Sequence, residues 1–247
     1  MDKKTANRIL GETEAGYDLI ASKFSDTRKR FWSELEFIKK YVKDGDRVLD
    51  FGCGNGRLLK IMQDRKIEYF GLDVSENLLA EGRKKYGDVV FSKIDPCQKT
   101  IPLEDNFFNT VYSIAVFHHF PSRKYREDVA KELFRVTKQD GHIVVTVWYL
   151  WPASRRRADV SASRGGQKKY FKNILKNWFE KIKGNSELDW NDCLVSFADN
   201  QGNKFQRFHH AFTKRELRKL FESAGFEVEK SEKIGNNLVL VAKKKSA

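Results

Sequence analysis

Between Arg47 and Trp148, β-type runs alternate with helix-type stretches: RVLDFG, RLLKIMQDRK, EYFGLD, ENLLAEGRKKY, VVFSKI, FFNTVYSIAVFHH, KYREDVAKELFRVTK and HIVVTVW. Parallel strands must be joined through crossovers, so this alternation predicts an α/β fold with a parallel sheet covered on both faces. Gly141 follows the helix KYREDVAKELFRVTK and is expected to cap it. The chain then ends on a helix (TKRELRKLFESAG), a strand (FEVEKSEKI), a turn (GNN) and a strand (LVLVAKKK). That last join is too short for a crossover and predicts an antiparallel hairpin. At the other end, YDLIASKF and FWSELEFIKKYV carry periodic apolar faces and predict two helices covering the sheet.

The 247 residues are read as one domain: a helical N-terminal cover (1–43), a ligand-binding core (44–150), an insertion (151–205) and a C-terminal helix and hairpin (206–247). From Trp151 to Lys183 the insertion holds ten basic residues against Asp159 and Glu180, with Tyr170, Phe171 and Trp178 interleaved. The whole chain carries a formal charge of +13 and a pI near 9.5, which points to a polyanionic partner, most simply nucleic acid. No apolar run approaches the roughly 20 residues of a membrane helix, and MDKKTANRIL lacks a signal-peptide core. A soluble, cytoplasmic protein is expected. Cys53, Cys97 and Cys193 are odd in number and form no C-x-x-C pair, so neither a disulfide framework nor a metal site is predicted.

The turn in VLDFGCGNGR sits between a strand and a helix, where backbone N–H groups can meet a ligand. A dinucleotide loop reads G-x-G-x-x-G and takes a pyrophosphate. Here the spacing is Gly52, Gly54, Gly56, around Cys53, and Asp50 stands where it would repel a phosphate. A ligand with a sulfonium and an ammonium but no phosphate, S-adenosylmethionine, resolves the conflict. Asp73, at the tip of the second strand, is placed to accept from ribose hydroxyls. Asp95, after the third, is placed to accept from the adenine amino group. Tyr17, Val74, Pro96 and Ile114 complete the candidate cofactor contacts.

The combined pattern VLDFGCGNG, GLD, ID resembles class I S-adenosylmethionine-dependent methyltransferases from about Tyr41 to Lys244, and so implies a Rossmann-like, mostly parallel seven-stranded sheet. Three further stretches, YDLIASKFSDTRKRFW (17–32), SIAVFHHFPSRKYRE (113–127) and RFHHAFTKRELRKLF (207–221), resemble the tRNA methyltransferases that esterify 5-carboxymethyluridine at the wobble position. His209 stands where that family commonly has tyrosine, and Ser196 and Phe197 stand where it often has proline and tryptophan. The resemblance implies tRNA as substrate, Arg28 and Arg207 as carboxylate anchors, His118 and His119 beside the methyl group, and a small activating subunit as a partner in some relatives.

A carboxylate nucleophile is ionised at neutral pH, so its methylation needs positioning by cations rather than a strong base. One of the two histidine rings is expected to be packed and the other to face the site. The basic tract is read as an RNA cradle, with Arg155, Arg156, Arg157, Lys168 and Lys169 on phosphates and His209 and His210 as further RNA contacts. Plainer readings stand beside these: Arg28 as a surface cap, RFHHAF as an aromatic core strip, the charge run as a solvated helix face. A small-molecule O- or N-methyltransferase, or a catalytically silent RNA-binding protein on the same scaffold, stays open.

Overall fold

The computed structural model describes residues 1–28, 30–98, 100–152, 164–198, 201–202 and 204–245, the side chains of 164–166 excepted. Seven strands form one sheet: β1 (Arg47–Phe51), β2 (Glu68–Asp73), β3 (Val90–Lys93), β4 (Phe108–Ile114), β5 (Thr137–Trp148), β8 (Glu227–Ile234) and β9 (Asn237–Lys243). The order β3-β2-β1-β4-β5-β9-β8 is parallel from β3 to β5, and β9 then runs antiparallel to both β5 and β8. The expected class I sheet with its terminal hairpin is therefore present. Strand order reverses between β1 and β4, and a ligand crevice opens at the carboxyl ends of strands flanking such a switch point.

Burial follows from this topology. A strand in the middle of a covered parallel sheet must be apolar on both faces, and Val48, Leu49, Val111, Tyr112 and Ile143 to Val145 are all fully buried. At the sheet's edge β8 reads EVEKSEKI, where charged side chains discourage pairing with another chain. Helices α2 (Glu76–Lys85), α3 (Arg123–Val136) and α5 (Lys214–Ser223) begin at Ser75, Ser122 and Thr213, each accepting from a backbone N–H in the first turn. At α5, Glu216 returns the bond and closes a capping box.

Three details differ from the sequence reading. The N-terminal cover is one 25-residue helix, α1 (Lys3–Thr27), followed by a 3-10 helix (Ser33–Tyr41) rather than two α-helices. Gly16 explains how α1 lies so close: a Cβ there would stand 2.3 Å from the Phe205 ring. The stretch after the glycine loop, RLLKIMQDRK, is only a five-residue 3-10 helix (Arg57–Ile61). Gly141 does not cap α3; Thr137 does, its N–H and hydroxyl both reaching Leu133 O, and β5 begins there. Gly141 lies within β5, where a Cβ would come within 2.8 Å of Asn109 O, so close strand approach rather than helix termination requires the glycine.

The region from residue 164 holds helix α4 (Arg164–Ile182) and a two-stranded sheet of β6 (Asp192–Ala198) against β7 (Lys204–His210). RFHHAF is thus largely a strand, paired with DCLVSF. Leu150, Ile174, Cys193, Val195 and Ala211 form their own apolar cluster under Trp148, Trp151, Tyr170 and Trp178, which fixes α4 and the β6–β7 pair over the crevice.

Candidate active site

The glycine turn is held by the neighbouring strand. Gly52 and Cys53 N–H groups both donate to Leu72 O, and Gly54 N–H donates to Asp73 Oδ2 at 2.8 Å. Gly52 has a φ of +79°, and a Cβ on it would meet Val116 at 2.3 Å, so only glycine allows this turn against β4. Gly56 is left-handed as well and lets Phe91 close beneath the loop, away from the cavity.

The cavity over this turn is lined by Tyr17, Arg28, Asp50, Gly52, Cys53 and Gly54. Asp73, Val74, Asp95, Pro96, Ile114, His119 and Arg207 complete that part of the expected set, so candidates spread over 190 residues meet in one place. Asp50 and Asp73 are both buried. Burial first, and then the charge of Asp73, pushes the Asp50 carboxyl up to about 7, although Tyr69 O–H donates to it at 2.6 Å. Burial likewise pushes Asp73 up to about 6 against the backbone N–H groups of Ser75 and Gly54. Two buried carboxylates with no ion-pair partner among the described residues suit a cationic ligand and would repel a pyrophosphate. The residues present therefore fit S-adenosylmethionine. Asp95 is exposed at the rim, where its Oδ1 accepts from Cys97 N–H.

Three arginines line the same cavity, and Arg57 lies near enough to Asp50 for their charges to interact. Arg207 is fully buried on β7, its guanidinium 3.6 Å over the Phe197 ring, with Tyr17 and Tyr170 hydroxyls as hydrogen-bond partners and Nε unpartnered. Burial first, and then the charge of Arg207, lowers the pKa of Arg28. Burial first, and then the charge of Arg28, lowers that of Arg57 to about 10. None of the three pairs with a carboxylate among the described residues. Arg57 lies 3.7 Å over the Trp32 ring and was not foreseen from the sequence; its signal was a cation directly following the glycine loop.

The histidines form a buried cluster behind Trp148. Nδ1 of His119 faces Phe208 O at 2.9 Å and so carries the proton, leaving Nε2 to accept from Tyr17 O–H at 2.8 Å. His118 lies behind the cavity wall, where its Nδ1 accepts from Trp148 N–H. Burial first, and then the charge of Arg207, brings His119 down to about 3. Burial also holds His118 and His209 well below the ordinary histidine value. Ring nitrogens of His118, His119 and His209 lie within 4.8 Å of one another, yet the set does not suit a metal: both nitrogens of His119 are engaged, and Arg207 adds a cation alongside.

Two expected RNA contacts are corrected. His209 is buried in the ring cluster, and His210 is buried between Asp192 at 2.6 Å and Glu216 at 2.7 Å, so neither offers an atom to an RNA surface. Lys168 and Lys169 are exposed on α4, and Arg155, Arg156 and Arg157 lie outside the described residues. No described helix is long and apolar enough to cross a membrane.

Comparison with known proteins accords with this geometry. The methyltransferase domain family model matches residues 49–145. A tRNA (carboxymethyluridine(34)-5-O)-methyltransferase of Schizosaccharomyces pombe is 32% identical over 210 residues, covering 85% of this chain and 86% of that protein. One of the same name from Arabidopsis thaliana is 30% identical over 60% of this chain, which spans 33% of its length. Among solved structures, an S-adenosylmethionine-dependent methyltransferase of Methanosarcina mazei superposes with a TM-score of 0.66 at 18% identity, covering 88% of this chain and 100% of that one. The methyltransferase solved in complex with the Trm112 activator of Haloferax volcanii gives 0.62 at 17% identity, covering 95% and 98%. The structural likenesses bear on the fold alone; the fission-yeast relative, similar over most of both chains, places this protein in the tRNA (carboxymethyluridine(34)-5-O)-methyltransferase family, as a class I S-adenosylmethionine-dependent methyltransferase.

Proposed function

We propose that the protein methylates the carboxylate of 5-carboxymethyluridine at the wobble position of tRNA, forming the methyl ester. One observation carries this reading: Arg207 is buried without a carboxylate partner among the described residues, Arg28 stands close enough for the two charges to interact, and Arg57 lines the same cavity. A buried, unpaired guanidinium is costly. Arg207, with the half-buried Arg28 and Arg57 in the same cavity, is kept most simply for an anionic acceptor, which arginine binds through its planar fork.

When bound, S-adenosylmethionine supplies an electrophilic methyl group on a sulfonium. Asp50, Asp73 and the Gly52–Gly54 turn would hold it, with Val74, Asp95, Pro96 and Ile114 around the nucleoside portion. Arg28, Arg57 and Arg207 hold the acceptor carboxylate, which needs no base because it is already ionised. His119 serves as a positioning residue: with its lone pair taken by Tyr17 and its pKa near 3, it is neither a free base nor an acid at neutral pH. The chain works as one domain in this reading, residues 151–205 forming the substrate side. The lysines of α4 lie along the tRNA backbone, in keeping with the +13 charge.

The named substrate of the fission-yeast relative favours tRNA over a small acid. A small activating subunit of the kind solved with the archaeal methyltransferase is a second partner, and a cytoplasmic location belongs to the same reading. Mass spectrometry of nucleosides from tRNA incubated with the protein and cofactor, with and without such a subunit, tests it. The expected result is a gain of one methyl on carboxymethyluridine; methylation of small acids with tRNA left unchanged would overturn it.

A further inference from the structure

Helix α4 has two different faces. One is packed: Ile174 and Asn177 are buried, and the side chains of Asn173 and Asn177 donate to Leu194 O and Asp189 O, which anchors the helix on β6 and the segment before it. The other face carries Leu175, Phe179 and Ile182, which recur at spacings of four and three and so form one row along the helix. They are 43%, 59% and 75% exposed. With its core face filled, the helix has no folding reason to hold three large apolar side chains in water, and exposed apolar rows of this kind mark binding surfaces.

Cations flank the row. Lys168, Lys172, Lys176 and Lys183 are exposed and, at about 100° per residue, share its half of the helix. Glu180 is the only acid between Arg164 and Lys183, and Lys183 stands 3.9 Å from it. A second copy of the chain would set these lysines against their own kind, whereas a polyanion is attracted to them. The same helix reaches the substrate side of the molecule: Gln167 and Tyr170 wall a cleft of about 670 Å3 that shares Arg28, Arg57 and Trp148 with the cofactor cavity. Phe179 follows Tyr170 along the helix by about 14 Å, at 1.5 Å per residue.

We propose that the row Leu175, Phe179 and Ile182 binds an unpaired nucleotide of the tRNA anticodon loop outside the acceptor site, its base stacked on Phe179 and its phosphates on the flanking lysines; the inference rests on the function proposed above. Every base has a π-face, so an exposed aromatic ring among cations takes single-stranded RNA whatever its sequence. Lys183 Nζ lies over the Phe179 ring at 4.2 Å. That side chain is half exposed and flexible, so it can move to a phosphate as a base takes its place on the ring. Leu175 and Ile182 extend the apolar surface on either side. A loop base splayed onto this row would fix the RNA while the acceptor nucleotide enters the cleft.

Phe179 is a surface residue, so its ring can be exchanged without disturbing the core. The test measures binding of an anticodon stem-loop RNA carrying 5-carboxymethyluridine, across a range of salt concentrations, for the wild type, Phe179→Leu, Phe179→Trp and the pair Lys172→Gln with Lys176→Gln. Melting temperature and cofactor affinity serve as controls of folding. Phe179→Leu, which keeps an apolar side chain but loses the ring, should weaken RNA binding about tenfold with the salt dependence unchanged, because no cation is removed. Phe179→Trp should bind at least as tightly as the wild type, and the lysine pair should bind more weakly with a flatter salt dependence. Wild-type RNA affinity in Phe179→Leu, an equal loss in Phe179→Trp, or an unchanged salt dependence in the lysine pair would each overturn the inference. So would flotation of the wild type with phosphatidylserine vesicles that Phe179→Leu abolishes while its RNA affinity stays unchanged, which would assign the row to a membrane surface. A wild type that neither binds the stem-loop nor methylates tRNA would instead defeat the function on which the inference rests.

Discussion

The hydroxyl of Tyr17, on α1, donates to Nε2 of His119 at 2.8 Å, joining the N-terminal cover to the carboxyl end of β4. Arg207 donates to the same hydroxyl from β7 at 3.4 Å, so a chain of hydrogen bonds runs from the buried guanidinium to Phe208 O. Its direction leaves His119 no lone pair for a substrate proton. With cofactor and tRNA saturating, kcat is therefore expected to be flat between about pH 6 and 9. Tyr17→Phe should lower kcat about tenfold through misplacement of Arg207, at the scale of one charge-assisted hydrogen bond, without introducing a pH dependence. A kcat rising with an apparent pKa near 6.5 would show that a histidine acts as the base.

Cofactor binding should release a proton. Asp50 stands near 7 in the free protein because burial disfavours its charge, and a bound cation would draw it down. Affinity for S-adenosylmethionine should then weaken as pH falls from 8 to 6, approaching tenfold per unit below 7. Calorimetry at pH 7 in buffers of different ionisation enthalpy checks this. Asp50→Asn should bind weakly at every pH and release no proton at this site.

Arg207 sets function against stability. Its charge is buried against Phe197 and Trp148 without an acid, and replacing such a group with an apolar side chain of similar volume is neutral or stabilising. Arg207→Met should melt at or above the wild-type temperature and keep cofactor affinity, while methylation falls at least 100-fold. A thermal scan beside a labelled-methyl assay measures both.

The buried histidines make the fold acid-sensitive. His119 titrates near 3 when folded and at about 6.5 when unfolded, so between those values the unfolded chain binds a proton that the folded chain refuses. Stability is whole above about pH 6.5 and falls as pH drops toward 3, by about 1.4 kcal/mol per pH unit for this residue once well below 6.5. His118 and His209 act in the same direction. Chemical unfolding at pH 7 and pH 5 should show the loss, and His209→Gln should reduce its slope.

The sheet was legible in the sequence because a parallel strand announces itself through both its apolar run and the helix that follows. The acids at the tips of β1 and β2 were legible for a related reason: a carboxylate beside a glycine turn contradicts the commoner phosphate ligand. Local pattern did not reach as far elsewhere. Gly141 follows a helix as a cap would, and only the distance to Asn109 O reveals a strand contact. His210 reads as an exposed partner for RNA until Asp192 and Glu216 are found on either side of it. Arg57 went unnoticed because its place in the site depends on Trp32 and Arg28 in space.

The most direct test of the arginine pocket compares two anticodon-loop oligonucleotides that differ in one group, carboxymethyluridine and its neutral carbamoylmethyl counterpart, by equilibrium binding to the cofactor-product complex. If Arg28, Arg57 and Arg207 hold a carboxylate, the acid binds about 10- to 100-fold more tightly, and Arg207→Met removes most of that difference. Equal affinity for the acid and the amide would contradict the account.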